Sequence, residues 1–254
     1  MLVLVTGATS GIGKSTAQLF AKNGYDLIIT GRRKDRLESV SKELQAAYKV
    51  KVLTLSFDVR NFSEVENAIK TIPAEFKNID ILVNNAGLAA GLSAIQNGDL
   101  SHWERMIDTN IKGLLYMTRE VCRGMIERKK GHIVNIGSIA GKEVYANGNV
   151  YCATKHAVDA LNKGMRIDLL PHNIKVTAVN PGMVETEFSI VRFDGDEEKA
   201  KSVYNGMQPL MPEDIADTIY WVATRPAHVN INDVIIMPNV QASATNVIRE
   251  SNAK

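Results

Sequence analysis

The chain has 254 residues, 45% of them hydrophobic, and a formal net charge of +2. That length suits one α/β domain with a large core, and the near-neutral balance excludes a general nucleic-acid or membrane-surface binder, so any positive patch is local. Two cysteines without CxxC spacing, Cys122 and Cys152, and five scattered histidines without HxxxH or HExxH leave no metal signature and suit a reducing, cytoplasmic compartment.

The chain opens on LVLV (2–5), an apolar run too short and too uncharged at its start for a signal peptide. No later stretch approaches the ~20 apolar residues that span a bilayer. The run is a predicted strand, and TGATSGIG (6–13) follows it into a predicted helix. Gly7 permits a tight turn, Gly11 a close backbone approach to a pyrophosphate, and Gly13 close packing of helix on sheet. Thr9, Ser10 and Ile12 fill the spaces between them. The helix start then offers free N–H groups and a partial positive charge to phosphate. Glycines also serve ordinary turns, but this position between strand and helix is the context of a dinucleotide cradle.

The second predicted strand, DLIIT (26–30), runs into Gly31-Arg32-Arg33. In dinucleotide folds this point often carries the acid that holds a ribose hydroxyl. Here two fork-shaped guanidiniums stand instead, suited to a phosphate. A charged hydrogen bond is worth roughly 1.5–3 kcal/mol, so two would favour the 2′-phosphate of NADP over NAD about a hundredfold or more. The third run, VKVLTLS (50–56), leads to Asp58 and Val59, placed where an adenine would lie. The fourth, DILVN (80–84), leads to Asn85, Ala86 and Gly87, small groups that leave room for a central ribose.

Beyond them, Trp103, Ile107, Ile111 and Leu115 recur at helical spacing. Asn110 and Gly113 weaken that pattern. HIVNIG (132–137) is the fifth strand and ends at Ser138. YCATK places Tyr151 and Lys155 on one helix face by their i,i+4 spacing, and Val158, Leu161 and Met165 continue the helix. IKVTAVN (174–180) and DVIIMP (233–238) are the last two strands. Residues 183–211 between them are long for a connection and read as a binding loop or lid. The Val- and Ile-rich runs show little polar alternation, so they predict strands buried on both faces. Alternating β and α predicts a doubly wound parallel sheet with right-handed crossovers. Without repeat or linker, the whole of 1–254 reads as one domain of Rossmann type.

Chemistry can be built from Asn110, Ser138, Tyr151 and Lys155. A free phenol has a pKa of about 10 and is a poor base at neutral pH. An ammonium roughly 4 Å away would favour the phenolate by ~4 kcal/mol at an effective dielectric of about 20. Tyr151 could then exchange a proton with an alcohol or a carbonyl. Ser138 would hold the substrate oxygen, Lys155 the nicotinamide ribose, and Asn110 a water linking Lys155 to solvent. The hydride itself would move on the nicotinamide. Taken singly, each residue has an ordinary structural role open to it. Together, on a chain that begins TGATSGIG, they point to one site.

These motifs resemble the short-chain dehydrogenase/reductase family over nearly the whole chain, including NPGMVET (180–186). The resemblance implies an Asn110, Ser138, Tyr151, Lys155 tetrad and a seven-stranded sheet in the order 3-2-1-4-5-6-7. It also implies that the segment after Pro181-Gly182 covers the nicotinamide, with groups near Val184 and Thr186 on its carboxamide. A further implication is a homo-oligomer, dimer or tetramer, built partly from the helices that contain Asn110 and Tyr151. The ending RPAHVNINDVIIMPNVQASATN, with GRR, DVRN and FSIVRFDGD, is similar to the NADP-dependent 3-hydroxy acid dehydrogenases. That branch implies serine, allo-threonine or 3-hydroxypropionate-like substrates and their semialdehydes. A carboxylate on such a substrate wants a cation, and Arg192 in the long loop is the candidate. Its ordinary alternative is a surface pair with Asp194 or Asp196. A reductase of another carbonyl and a non-catalytic NADP sensor stay open as alternatives. Cys152, beside Tyr151, reads as a small packing residue.

Overall fold

The computed structural model describes residues 1–250; the last four positions of the expected 1–254 domain lie outside the described residues. Seven parallel strands form one sheet in the order β3-β2-β1-β4-β5-β6-β7. They are β1 Leu2–Thr6, β2 Asp26–Gly31, β3 Val52–Ser56, β4 Ile81–Asn84, β5 Gly131–Ile136, β6 Ile174–Pro181 and β7 Asp233–Ile236. The expected order holds, and so does every expected strand.

Alternation in the strands feeds two separate cores, as the two-residue period of a strand requires. Val3 and Val5 of β1 join Leu27, Ile29, Val83 and Val179 on one face. That face is covered by α1 (Gly11–Lys22), α2 (Lys34–Tyr48) and α9 (Pro212–Ala223), which add Phe20, Leu37, Leu44 and Ile219. Leu2 and Leu4 join Ile28, Leu82, Ile133 and Val176 on the other face. There α3 (Phe62–Lys70), α5 (Leu114–Arg128) and α6 (Asn149–Leu169) contribute Val65, Met117, Met125, Val158 and Met165. Burial on both faces fails only at the sheet edges. β3 is half-buried, and β7 alternates exposed and half-buried residues, because each edge strand lacks a neighbour and part of its helical cover.

The helix starts follow local chemistry. Asn61 caps α3 by accepting from Ser63 N and Glu64 N at 3.1 and 3.4 Å. Pro212 opens α9, where its missing N–H costs nothing.

The apolar stripe Trp103–Ile107–Ile111–Leu115 is a correction. The chain there is α4 (Leu100–Ile107), then a π-helical turn over Asp108–Gly113, then α5. The wider turn shifts the helical phase, so Met106, Leu114, Met117 and Val121 face inward. Ile107 and Leu115 are 36% and 37% exposed. Single π turns inside helices are frequent at functional sites, and this one holds Asn110.

The 183–211 connection is more regular than expected. Two backbone hydrogen bonds close its base, Leu210 N to Met183 O at 3.0 Å and Glu185 N to Leu210 O at 2.9 Å. It carries two short helices, α7 (Glu187–Arg192) and α8 (Glu197–Ser202).

Candidate active site

A cavity of about 500 Å³ runs along the carboxyl ends of the strands, the place where open α/β sheets bind ligands. One wall is the turn after β1. Gly7 has φ +67, a left-handed conformation that only glycine adopts freely. A Cβ on Gly13 would lie 2.3 Å from Gly7 O and 2.5 Å from Asn85 Nδ2. The helix start can therefore approach the turn only because residue 13 lacks a side chain. Asn85 donates its amide to Thr6 O and Gly7 O at 2.8 and 3.2 Å. Its side chain thus braces the turn, and Asn85, Ala86 and Gly87 all line the cavity. This glycine-floored cradle fits a dinucleotide phosphate on its own geometry.

At the far end of that wall, Arg33 lies over the cradle. Its Nε and Nη2 donate to Thr9 Oγ1 at 3.2 and 2.7 Å, and Nη2 also to Ser10 Oγ at 2.9 Å. Arg32 is more exposed and stands 3.9 Å from Asp58 Oδ2. Arg60 holds the same Asp58 oxygen at 2.6 Å. Burial of Asp58 is outweighed by these cations, so its carboxyl sits below the ordinary range. Arg32, Arg33, Asp58 and Val59 all line the cavity.

At the opposite end the four expected catalytic side chains converge. A Cβ on Gly87 would meet Asn110 Oδ1 at 3.3 Å and Lys155 Nζ at 3.7 Å. Ser138 lies two residues past β5, with its hydroxyl accepting from Ala140 N at 3.1 Å. Tyr151 lies in the first turn of α6, and Lys155 one turn on. The three-residue turn after Ser138 packs on α6 so closely that a Cβ on Gly141 would lie 2.6 Å from Lys155 O.

Lys155 Nζ lies 6.0 Å from the Tyr151 ring centroid and donates to Ile136 O at 2.9 Å. Burial of Lys155 explains this, since a buried ammonium needs an acceptor, and the same burial lowers its pKa to about 8. Tyr151 is raised above its ordinary value, first by burial and then by Tyr145, while Ser138 and Arg192 pull the other way. A water held by Asn110 would have to donate to one of its oxygens, because its amide donors are engaged. Both of its N–H donors are spent, on Leu88 O at 2.8 Å and Thr154 Oγ1 at 3.0 Å, and its Oδ1 accepts from Leu88 N at 2.8 Å. The π turn aims the side chain inward, where it ties the loop after β4 to α6.

The 181–192 segment forms the outer lip. Pro181, Gly182, Val184 and Thr186 line the cavity, and Thr186 also caps α7 by accepting from Phe188 N at 3.1 Å. Arg192, the last residue of α7, points inward. Its Cζ lies 5.4 Å from the Tyr151 ring centroid, and Nη2 donates to Tyr145 Oη at 2.5 Å. Its buried Nε has no partner among the described residues. Asp194 pairs with His102 and Arg105 at 3.2 and 3.6 Å, and Asp196 with Lys199 at 3.1 Å. The ordinary surface pairing of Arg192 is therefore absent.

Several lining residues escaped sequence reasoning. Phe188 packs edge-on against Tyr151 at 5.7 Å. Tyr145 anchors Arg192. Gln241, from the segment after β7, accepts from Met183 N at 2.9 Å. The 183–211 loop was the sequence signal nearest Phe188 and the unusual C-terminal ending the one nearest Gln241, while Tyr145 had none. Cys152 is buried, as a packing residue would be. Among the described residues, no group of three or more His, Cys, Asp or Glu could hold a metal ion, and no helix is long and apolar enough to cross a membrane.

A doubly wound sheet with a glycine cradle at one end of its cleft and a Ser–Tyr–Lys group at the other defines a dinucleotide-linked oxidoreductase. The family model described as short chain dehydrogenase matches residues 1–196, and the chain belongs to the short-chain dehydrogenase/reductase family. It is 51% identical over 245 residues to an NADP-dependent 3-hydroxy acid dehydrogenase of Salmonella typhi, covering 96% of this chain and 97% of that one. It is 44% identical over 250 residues to a serine 3-dehydrogenase of Rhizobium radiobacter, covering 98% of each. Its fold matches the closed form of a serine dehydrogenase complexed with NADP+ at a TM-score of 0.92, with 47% identity, over 99% of this chain and 100% of that one.

Proposed function

We propose that this chain interconverts a 3-hydroxy acid of the serine, allo-threonine or 3-hydroxypropionate kind and the matching oxo acid or semialdehyde, using NADP(H). The observation that carries the substrate class is Arg192. A guanidinium facing the phenol, with a buried Nε unpartnered, is a fork held ready for a carboxylate. The similar proteins named above carry the same activity in their names.

The bound dinucleotide supplies the hydride acceptor or donor. The chain's residues do the rest. The turn after β1 and Arg33 hold its phosphates. Arg192 fixes the acid group, and Ser138 holds the substrate oxygen beside Tyr151. In oxidation, Tyr151 Oη takes the alcohol proton as the hydride leaves the same carbinol carbon. In reduction it returns that proton to the carbonyl oxygen. Lys155, held by Ile136 O, steadies the negative phenolate and is placed for the nicotinamide ribose. Asn110 positions Lys155 through Leu88 and Thr154.

The family resemblance supports a homo-oligomer, dimer or tetramer, and the two free cysteines support a cytoplasmic setting. The test is NADP+ reduction with a panel of 3-hydroxy acids and their methyl esters, for the unaltered chain and for Arg192→Ala. Acids preferred over esters, with KM for acids raised at least about tenfold in the variant, is the expected result. Equal KM for acids in both chains removes Arg192 from the site. Turnover of uncharged carbonyls alone replaces the substrate class, and no turnover with any compound favours a sensor.

A further inference from the structure

Helix α7 is bracketed by two charges with different tasks. Its last residue, Arg192, faces the phenol. Its first, Glu187, is clasped at the other end of the cleft by two cations. Arg33 Nη1 reaches Glu187 Oε2 at 2.9 Å, and Arg36 Nη1 reaches Oε1 at 2.7 Å. Burial of Glu187 is outweighed by these two hydrogen bonds, so its carboxyl lies below the ordinary range and is an anion at neutral pH. Arg33 is the same guanidinium that rests on Thr9 and Ser10 of the cradle. The Arg33–Glu187 pair thus joins the two lips of the cleft at its cradle end, where a Cβ on Gly11 would already touch Thr186 at 3.2 Å.

We propose that Glu187 is a cofactor-specificity residue whose carboxylate competes with the 2′-phosphate of NADP for Arg33. The inference rests on the NADP reading above. Two anions cannot share one guanidinium without mutual repulsion, so the phosphate must displace the carboxylate from Arg33. Arg36 makes the exchange feasible, because Glu187 keeps that partner when Arg33 turns to the phosphate. NAD brings no 2′-phosphate and leaves the Arg33–Glu187 pair in place. The contest therefore acts on NADP alone. It sets NADP affinity below what the arginines would otherwise give, and it makes the phosphate release the first residue of the helix that ends in Arg192.

The experiment is calorimetric titration of the full chain, Glu187→Gln and Glu187→Ala with adenosine 2′,5′-bisphosphate, 5′-AMP, NADP+ and NAD+, without turnover. Both variants should bind the bisphosphate and NADP+ about tenfold more tightly, the scale of one charged hydrogen bond. 5′-AMP and NAD+ should change less than about twofold. The gain should vanish when Arg33→Ala is added. Unchanged or weakened bisphosphate binding in the Glu187 variants overturns the inference, as does a gain that survives without Arg33. If the unaltered chain binds the bisphosphate no better than 5′-AMP, the NADP reading itself falls, a result distinguishable from the others.

Discussion

Arg192 is held over the phenol of Tyr151 by a hydrogen bond from its Nη2 to the hydroxyl of Tyr145, at 2.5 Å. Tyr145 lines the same cavity, and its hydrogen bond to the guanidinium ties it to the carboxylate role proposed for Arg192. Tyr145→Phe should raise KM for a 3-hydroxy acid about tenfold, the worth of one charged hydrogen bond. It should lower kcat much less and leave KM for the methyl ester unchanged. Steady-state kinetics on the acid and its ester make the comparison. Equal effects on both compounds would mean that Tyr145 only packs.

The two arginines after β2 have different surroundings and should respond differently. Arg33 lies on Thr9 and Ser10, whereas Arg32 stands out near Asp58. Arg33→Ala should lower the preference for NADP over NAD by about tenfold to a hundredfold, and Arg32→Ala by less than about fivefold. The ratio of kcat/KM with the two cofactors reads this directly. The reverse ranking would place the phosphate on Arg32.

Much of this architecture was legible before any coordinates. Buried parallel strands write themselves as Val- and Ile-rich runs, and the cradle and the Tyr151–Lys155 spacing are local patterns. The failures were those of phase and distance. One π turn at Asp108–Gly113 rotates Ile107 and Leu115 outward, and no periodicity count detects a single inserted residue. The i,i+4 spacing of Tyr151 and Lys155 sets a face and not a hydrogen-bond partner. The partner, Ile136 O, is 19 residues away in the chain. Glu187 and Arg33 are separated by 154 positions, so their pairing left no trace in the sequence. Arg192 was legible only as a cation in a loop, and Tyr145 not at all.

Burial of Lys155 makes stability depend on pH. Its pKa is lowered from 10.5 to about 8 in the folded chain. Below pH 8 the folded state carries the full cost of a buried ammonium. Between pH 8 and 10.5 the unfolded chain binds more protons, so this contribution to stability rises with pH. Lys155→Met should therefore stabilise the chain at pH 7, on the order of 2 kcal/mol after loss of the bond to Ile136 O. The gain should shrink as pH climbs above 8. Urea unfolding of both chains at about pH 7 and about pH 9.5 checks the sign. A difference independent of pH would contradict it.

Tyr151 is held protonated by burial, and only the phenolate can accept a proton. Oxidation should accordingly speed up with pH, with kcat/KM approaching tenfold per unit below about pH 8 and levelling where Lys155, which steadies the phenolate, loses its proton near 8. Reduction uses the phenol and should stay nearly flat over that range. A plateau in the oxidation profile reached below pH 7 would show a phenol already ionised.

The central claim is that the Tyr151 hydroxyl carries the proton. Turnover and NADP+ binding measured together on Tyr151→Phe test it most directly. The account predicts a kcat lower by about a thousandfold, with cofactor affinity within about threefold of the unaltered chain. A phenylalanine variant that binds NADP+ normally and keeps kcat within about tenfold would contradict it.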